Sequence, residues 1–346
     1  MTADELDELI NQVTLHKLEF LQRLFSLKEL GRFANREDAR KMCREHCANG
    51  ALCVEELKAL LEALDTWGNQ RIRLIRVPEN DIRLFTDSAA TQAAATKARL
   101  GHIFDQDMPI VVAEQVSAIS IRYKEENGKR ILLLVAGKIK EETVPVAELP
   151  VLSGEMVAHL PILQGHSLDG VTFYPLRLER QKIISFAEID LDSGHGVLSV
   201  KTFAAAGSYK SKYQEFCEAF EPFLCLSTVT RTYPRAAVYQ ILRDPDIAKV
   251  NIPQGVLRTD AGNRLSMKMA RSRQDIRTDE AFSETLQQSD WSHAGDYCEC
   301  YWQPDGVLKE EVHTHIYGAH GEVTFRGQLR EESVNHVLQR IRSLNN

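Results

Sequence analysis

The segment 116–139 constrains the fold of this chain more than any other. Two β-rich runs, VSAISIRYKEE and KRILLLVAGKI, flank the dipeptide Asn127-Gly128. Asn-Gly between such runs is the strongest local signal for an antiparallel hairpin, because both positions of the tight turn need a positive φ. A two-stranded hairpin is marginal by itself in water, so we expect further strands and helices to complete a larger sheet.

The first 67 residues have helical periodicity instead. Leu6, Leu9, Ile10 and Val13 recur at the spacing of one helix face. NREDARKMCREHCANG starts at an asparagine cap and ends near a glycine, and VEELKALLEAL provides another helix with an apolar face. We predict a helical bundle over residues 1–67.

Strands and helices alternate in the remainder, which we divide into three units. Residues 68–145 are predicted to form a β-unit with one helix, SAATQAAATKARL. A linker rich in proline and glycine, then the hairpin KIISFAEIDLDSGHGVLSVKTF and a helix, occupy 146–230. Residues 231–346 are predicted to be a C-terminal α+β unit with a hairpin, a three-stranded meander and a closing helix. The predicted fold class is therefore α+β, a helical bundle followed by antiparallel sheet units with flanking helices.

Composition excludes several classes of protein. With 346 residues, 43% of them hydrophobic and 26% charged, the chain has the make-up of a soluble protein of several units. A net charge of −7 argues against a globally basic nucleic-acid coat but leaves room for a local basic patch. No apolar run approaches the roughly 20 residues that span a bilayer, so we expect no membrane contact. Seven cysteines, an odd number, favour a reducing compartment, the cytoplasm or, in a eukaryote, the nucleus.

Three segments within residues 1–140 resemble the centromere protein N / Chl4 family. They are the helical unit that runs into DTWGNQRIRLIRV, the short ENDIRLFTD, and the hairpin VSAISIRYKEENGKRILLLVAG, which follow each other in a similar order and spacing. The resemblance implies a pyrin-like helical domain that, together with the adjoining β-unit, binds nucleosomal DNA. It also implies a C-terminal part that pairs with a partner protein, although the chain departs from the family after about residue 145.

Basic residues concentrate on single strand faces. In RIRLIRV, Arg71 and Arg73 project from one face while Ile72 and Leu74 project from the other. NRLSMKMARSRQDIR repeats this alternation, and GSYKSKY places two lysines in a loop that enters a helix. Arginine and lysine at such spacing suit phosphate contacts, whereas the alternative is a solvated face balanced by nearby acids. The predicted nucleic-acid-binding residues are Arg71, Arg73, Lys210, Lys212, Arg264, Lys268, Arg271 and Arg273.

The hairpin EIDLDSGHGVLSVKT offers a different chemistry. Strand alternation puts Glu188, Asp190 and Asp192 on one face, and Lys201 returns on the partner strand. Restriction-type nucleases use such carboxylates to hold magnesium and a lysine to polarise the attacking water. An exposed, alternating hairpin explains the same residues, and the acidic residue expected two positions before the lysine is absent.

The segment EVHTHIYGAHG contains three histidines. With the turn at Pro304-Asp305, the predicted hairpin sets Cys298 opposite Glu311 and forms a face of cysteines and histidines. Sulfur and imidazole nitrogen are the ligands that zinc prefers. The candidate metal ligands are Cys298, Cys300, His313 and His315. The alternative is a polar sheet face that contacts a partner or nucleic acid, and a slip of one residue turns the cysteines toward the core.

The sequence contains no Walker loop, no G-x-G-x-x-G, no G-x-S-x-G and no H-E-x-x-H motif. We therefore predict a non-enzymatic protein that binds a nucleic-acid backbone, with DNA expected over RNA, and assembles complexes. The expected protein partner, or a second copy of the chain, docks on the C-terminal unit. No cofactor is expected, with zinc or magnesium as the alternatives. The rival function is a metal-dependent nuclease, or an accessory subunit, of a prokaryotic defence system.

Overall fold

The computed structural model describes most of the chain. The described residues are 2–15, 18–110, 112–126, 128–145, 152–153, 172–174, 176–201, 209–244, 249–259, 262–270, 274–287, 291, 294–327 and 329–345.

Ten α-helices lie in these ranges. They are α1 (Ala3–Leu15), α2 (Leu18–Leu27), α3 (Arg36–Ala48), α4 (Val54–Thr66), α5 (Glu79–Ile82), α6 (Ser88–Lys97), α7 (Tyr209–Phe220), α8 (Arg235–Arg243), α9 (Glu280–Gln287) and α10 (Glu331–Leu344). None of the described helices combines the length with the apolar composition that crossing a membrane requires.

Thirteen strands lie in the same described ranges. They are β1 (Gln70–Arg76), β2 (Ser117–Glu126), β3 (Lys129–Pro145), β4 (Leu152–Ser153), β5 (Thr172–Phe173), β6 (Leu176–Asp190), β7 (His195–Lys201), β8 (Thr230–Arg231), β9 (Val250–Arg258), β10 (Arg264–Lys268), β11 (Gly295–Trp302), β12 (Val312–Tyr317) and β13 (Glu322–Arg326). The predicted α+β class is confirmed.

Helices α1–α4 form a bundle where the helical periodicity indicates one. Leu9, Phe25 and Leu57 are fully buried at its centre. The side chain of Asn35 accepts a hydrogen bond from the backbone N–H of Asp38 at 2.9 Å, so α3 begins at the asparagine cap that the sequence predicts.

All strands except β4 and β5 join one antiparallel sheet. Its order is β10-β9-β11-β12-β13-β1-β7-β6-β3-β2, with β8 paired to the end of β1. The three predicted strand-containing units therefore contribute to a single sheet. The hairpin of β2 and β3 has the predicted turn, because Glu126 pairs with Lys129 across it and Gly128 has a φ of 75°. The predicted linker lies largely outside the described residues, apart from the small β4–β5 ladder.

Strand β1 divides this sheet into two halves. The first half consists of β1, β7, β6, β3 and β2, and the second of β13, β12, β11, β9 and β10. One face of the whole sheet is covered, by α8, α9 and α10 over the second half and by Trp67 and the helical bundle over the first.

The opposite face is covered only in part. Helices α6 and α7 pack on it over the first half of the sheet. Among the described residues, no helix packs across this face of the second half. We call this surface the open face. It carries Tyr297, Glu299, Tyr301, His313, His315 and Tyr317, all half-buried.

A buried charge cluster joins the helical bundle to the sheet. The Nζ atom of Lys182 lies 2.8 Å from Oδ2 of Asp65 at the end of α4, and the two side chains are only 2% and 1% exposed. Lys201 donates from Nζ to the carbonyl oxygens of Trp67 and Gly68, both at 3.1 Å, which gives partners to carbonyls at the C-terminal end of the helix. Burial lowers the pKa of Lys201 to about 8.

We expect Asp65→Asn to lower the free energy of unfolding by about 3–5 kcal/mol, because it leaves buried lysines without a counter-charge. Adding Lys182→Met should recover part of that loss, since it removes one of the uncompensated charges. Urea denaturation monitored by circular dichroism measures both effects.

The matched control is Glu62→Gln, one turn earlier on the same helix, where the ion pair with Arg122 is partly exposed. This change should cost less than about 1 kcal/mol. Equal effects of Asp65→Asn and Glu62→Gln would contradict the structural role assigned to the buried cluster.

Candidate functional site

The open face is organised in rows that run across the strands, because opposed residues of neighbouring strands share a face. In one row, Arg326 of β13 lies opposite His313 of β12, which lies opposite Tyr301 of β11. In the next row, His315 lies opposite Glu299. The rows place aromatic and imidazole rings side by side over the middle of the second half of the sheet.

These rings form a continuous aromatic band, which we define as Tyr301, His313, His315, Tyr297 and Tyr317. Tyr301 and His313 are stacked, with ring centroids 4.2 Å apart and an interplanar angle of 8°. The centroids of His313 and His315 are 4.8 Å apart, and those of Tyr297 and Tyr317 are 5.3 Å apart. No helix of the described residues covers these rings, so they can contact other flat groups.

One carboxylate lies among the rings. Oε1 of Glu299 is 3.0 Å from Nε2 of His313 and accepts a hydrogen bond from the Tyr301 hydroxyl at 3.2 Å. The Tyr297 hydroxyl lies 2.7 Å from Nδ1 of His315. Burial lowers the pKa of both histidines, to about 4 for His315, and raises the pKa of the Tyr297 hydroxyl. His315 is therefore neutral at physiological pH.

The two predicted cysteine ligands lie on the other side of the sheet. Cys298 pairs with Ile316 and Cys300 with Thr314, so both sulfurs point into the core and both residues are fully buried. The predicted pairing of Cys298 with Glu311 is wrong, because Trp302 pairs with Val312 and the connection is the loop 303–311 instead of a tight turn. The structure thus does not bring together the four-ligand set Cys298, Cys300, His313 and His315.

Arg71 and Arg73 do project from one face of β1, but they are engaged within the protein. Nη2 of Arg71 lies 2.6 Å from the carboxylate of Glu322 on β13, and Nη2 of Arg73 lies 3.0 Å from the same carboxylate. Arg71 also lies over the ring of Tyr209, and Arg73 over that of Tyr213. The two arginine side chains are only 18% and 15% exposed, so they offer little surface to a phosphate. Their ion pairs link β1 to β13 at the boundary between the halves of the sheet.

The remaining basic candidates have different settings. Arg264 and Lys268 are exposed on the open face of β10, and they alternate with partly buried Leu265 and Met267, as the sequence predicts. Lys210 is exposed at the start of α7. Lys212 donates from Nζ to the backbone carbonyl of Lys201 at 3.4 Å. Arg271 and Arg273 lie outside the described residues.

The four residues of the nuclease hypothesis are not brought together either. Glu188 and Asp190 line a cavity of about 470 Å³ against α10, where burial raises the pKa of Glu188. Asp192 lies in the turn after β6, and Nε of Arg130 donates to its carboxylate at 2.8 Å. Lys201 lies four positions along β7 from the partner of Glu188, about 13 Å away at strand spacing, in the contacts with α4.

The sequence reasoning missed the three β11 residues of the open face, Tyr297, Glu299 and Tyr301. The signal is present in DYCECYW, where polar or aromatic residues alternate with cysteine, cysteine and tryptophan. The indole of Trp302 is fully buried and donates to the Thr314 hydroxyl at 2.8 Å, so it marks the core face of the strand. The tyrosines and the glutamate then fall on the other face.

No model of a known protein family matches the chain, and no match was found among curated proteins.

The observed register predicts unequal cysteine reactivity. Cys53 is exposed, whereas Cys298 and Cys300 are buried and burial raises the pKa of the Cys300 thiol. In the native protein, iodoacetamide should alkylate Cys53 first and leave Cys298 and Cys300 unmodified, as peptide mass spectrometry would show. In urea all seven cysteines should react. Labelling of Cys298 or Cys300 at the native rate of Cys53 would contradict this register.

Proposed function

We propose that this chain is a non-enzymatic protein that binds single-stranded nucleic acid on its open face. The observation that carries the proposal is the aromatic band on a sheet surface that no described helix covers. Bases stack on exposed aromatic side chains with little regard to sequence, and each stacked base contributes about 1–3 kcal/mol. Strand alternation places these rings on one side of the sheet, where successive bases of an extended strand can reach them.

Basic residues lie on both sides of the aromatic band. Arg264 and Lys268 are exposed on the edge strand β10, and Arg326 is exposed on β13. Four strand spacings of about 4.8 Å separate these two strands, so the basic margins are roughly 19 Å apart. Bases can stack between the margins while phosphates contact the cations. The central carboxylate, Glu299, is hydrogen-bonded to His313 and Tyr301. These contacts reduce the repulsion between the carboxylate and a phosphate.

The resemblance of residues 1–140 to the centromere protein N / Chl4 family supports DNA as the nucleic acid. We propose in addition that α1–α4 form a pyrin-like domain. We also propose that a protein partner, or a second copy of the chain, docks on the C-terminal unit. The nuclease alternative has less support, because Lys201 binds backbone carbonyls and Asp192 binds Arg130.

Stacking predicts a direct effect of ring removal. Tyr301→Ala and Tyr317→Ala should each weaken binding of a fluorescent oligo-dT strand by about 5- to 150-fold in anisotropy titrations, the equivalent of one stacked base. Oligo-U, measured in parallel, tests the preference for DNA. The control is Tyr239→Ala, which removes a half-buried ring from α8 on the covered side of the sheet and should leave affinity unchanged. Wild-type affinity in both open-face variants would refute stacking on this surface.

The basic margin predicts a change in salt dependence. Arg264→Ala with Lys268→Ala should reduce the slope of log affinity against log salt by about 1.4, because each lost contact with a single strand contributes about 0.7. Arg83→Ala is the control, because Arg83 is an exposed arginine at the end of α5. An unchanged slope in the double variant would show that phosphates do not contact β10.

A further inference from the structure

We propose that Glu299, His313 and His315 form a binding site for one divalent transition-metal ion, with zinc as the preferred metal. One potential ligand atom from each residue lies within 4.8 Å of the other two. The site is separate from the predicted cysteine-containing set, because both cysteines lie across the sheet.

The backbone explains why three ligands converge on a flat strand face. His313 and His315 are two positions apart on β12 and therefore point to the same side. Glu299 is the cross-strand partner of His315 on β11. Tetrahedral zinc at about 2.0–2.1 Å from its ligands needs ligand atoms roughly 3.3 Å apart. The pair of Glu299 and His313 is already at 3.0 Å, so the ligand atom of His315, which lies within 4.8 Å of the other two, has to move closer to complete the set.

The donor set also selects the class of metal. Two imidazoles and one carboxylate are ligands of zinc and its neighbours in the first transition row. Magnesium and calcium prefer oxygen ligands, and two of the three ligands here are imidazole nitrogens. Three protein ligands leave one coordination position for water, and the half-buried ligands of the open face leave it accessible to solvent.

The surroundings support the ligands. The Tyr297 hydroxyl contacts the His315 ring and the Tyr301 hydroxyl contacts Glu299, as outer partners that orient metal ligands commonly do.

The test uses the full chain after dialysis against a chelator. Titration with zinc chloride against a chromophoric zinc indicator should show about one equivalent bound, and zinc should raise the melting temperature. Cobalt(II) in place of zinc should develop visible absorption bands of a four-coordinate site. His313→Ala and His315→Ala should each weaken zinc binding at least about 100-fold, beyond the 10- to 100-fold typical of a lost outer partner.

Two further variants keep the experiment decisive. Glu299→Gln preserves the shape of the side chain and should weaken zinc binding. Far-ultraviolet circular dichroism checks that this variant is folded, so that the loss of affinity is not due to misfolding. His320→Ala removes an exposed histidine in the turn beside the same face and should bind zinc like the wild type. Absence of zinc binding by the wild type, or full binding by the folded His313→Ala/His315→Ala double variant, would overturn the site. Neither result depends on nucleic-acid binding, which the oligonucleotide titrations measure separately.

Discussion

The pairing of β1 with both β7 and β13 is the constraint on which the rest of the structure depends. In the described sheet, β1 joins the first half, where it pairs with β7, to the second half, where it pairs with β13. Side chains reinforce both ladders, because Arg71 and Arg73 bind Glu322 on β13, while Ser199 on β7 donates to Gln70 at 3.1 Å. Charge-assisted contacts of this kind fix the register of the central strand, and with it the face on which every residue of β13, β12 and β11 lies.

Unequal coverage of the two halves then determines where the chain presents chemistry. Over the first half, helices lie on both faces, so its strands bury apolar residues such as Leu134 and Phe186 on opposite sides. The second half packs Cys298, Cys300 and Ile316 into the apolar core on one side. Its other side carries polar and aromatic groups, among which Glu299 is hydrogen-bonded to His313 and Tyr301. Both proposed activities therefore depend on the open face, which no helix of the described residues covers.

Local patterns predicted the parts of this fold that local forces determine. The Asn127-Gly128 hairpin, the Asn35 cap and the alternation of Arg264 and Lys268 were all predictable because turn chemistry, capping and strand period operate over a few residues. The register of β11 and β12 was not. Asp305, predicted in a tight turn, instead accepts hydrogen bonds from His336 and Arg340 of α10, at 2.9 and 3.0 Å. The partner of Arg71 likewise lies far along the chain, and no local pattern identifies it.

The position of β1 in the chain also determines the order in which its two neighbouring strands can pair with it during synthesis. The bundle and β1 leave the ribosome before the other strands of the sheet, and β7 can pair with β1 once residue 201 has emerged. The other edge of β1 has to wait for β13, which at 5–20 residues per second takes on the order of ten seconds more. During that interval a row of unpaired backbone groups, flanked by two arginines without their carboxylate, is exposed on the nascent chain. The paired residues of β1 and β13 lie far apart in the sequence, so we expect the formation of this ladder to be the slow step of folding. The chain is most prone to aggregation in the interval before the ladder forms.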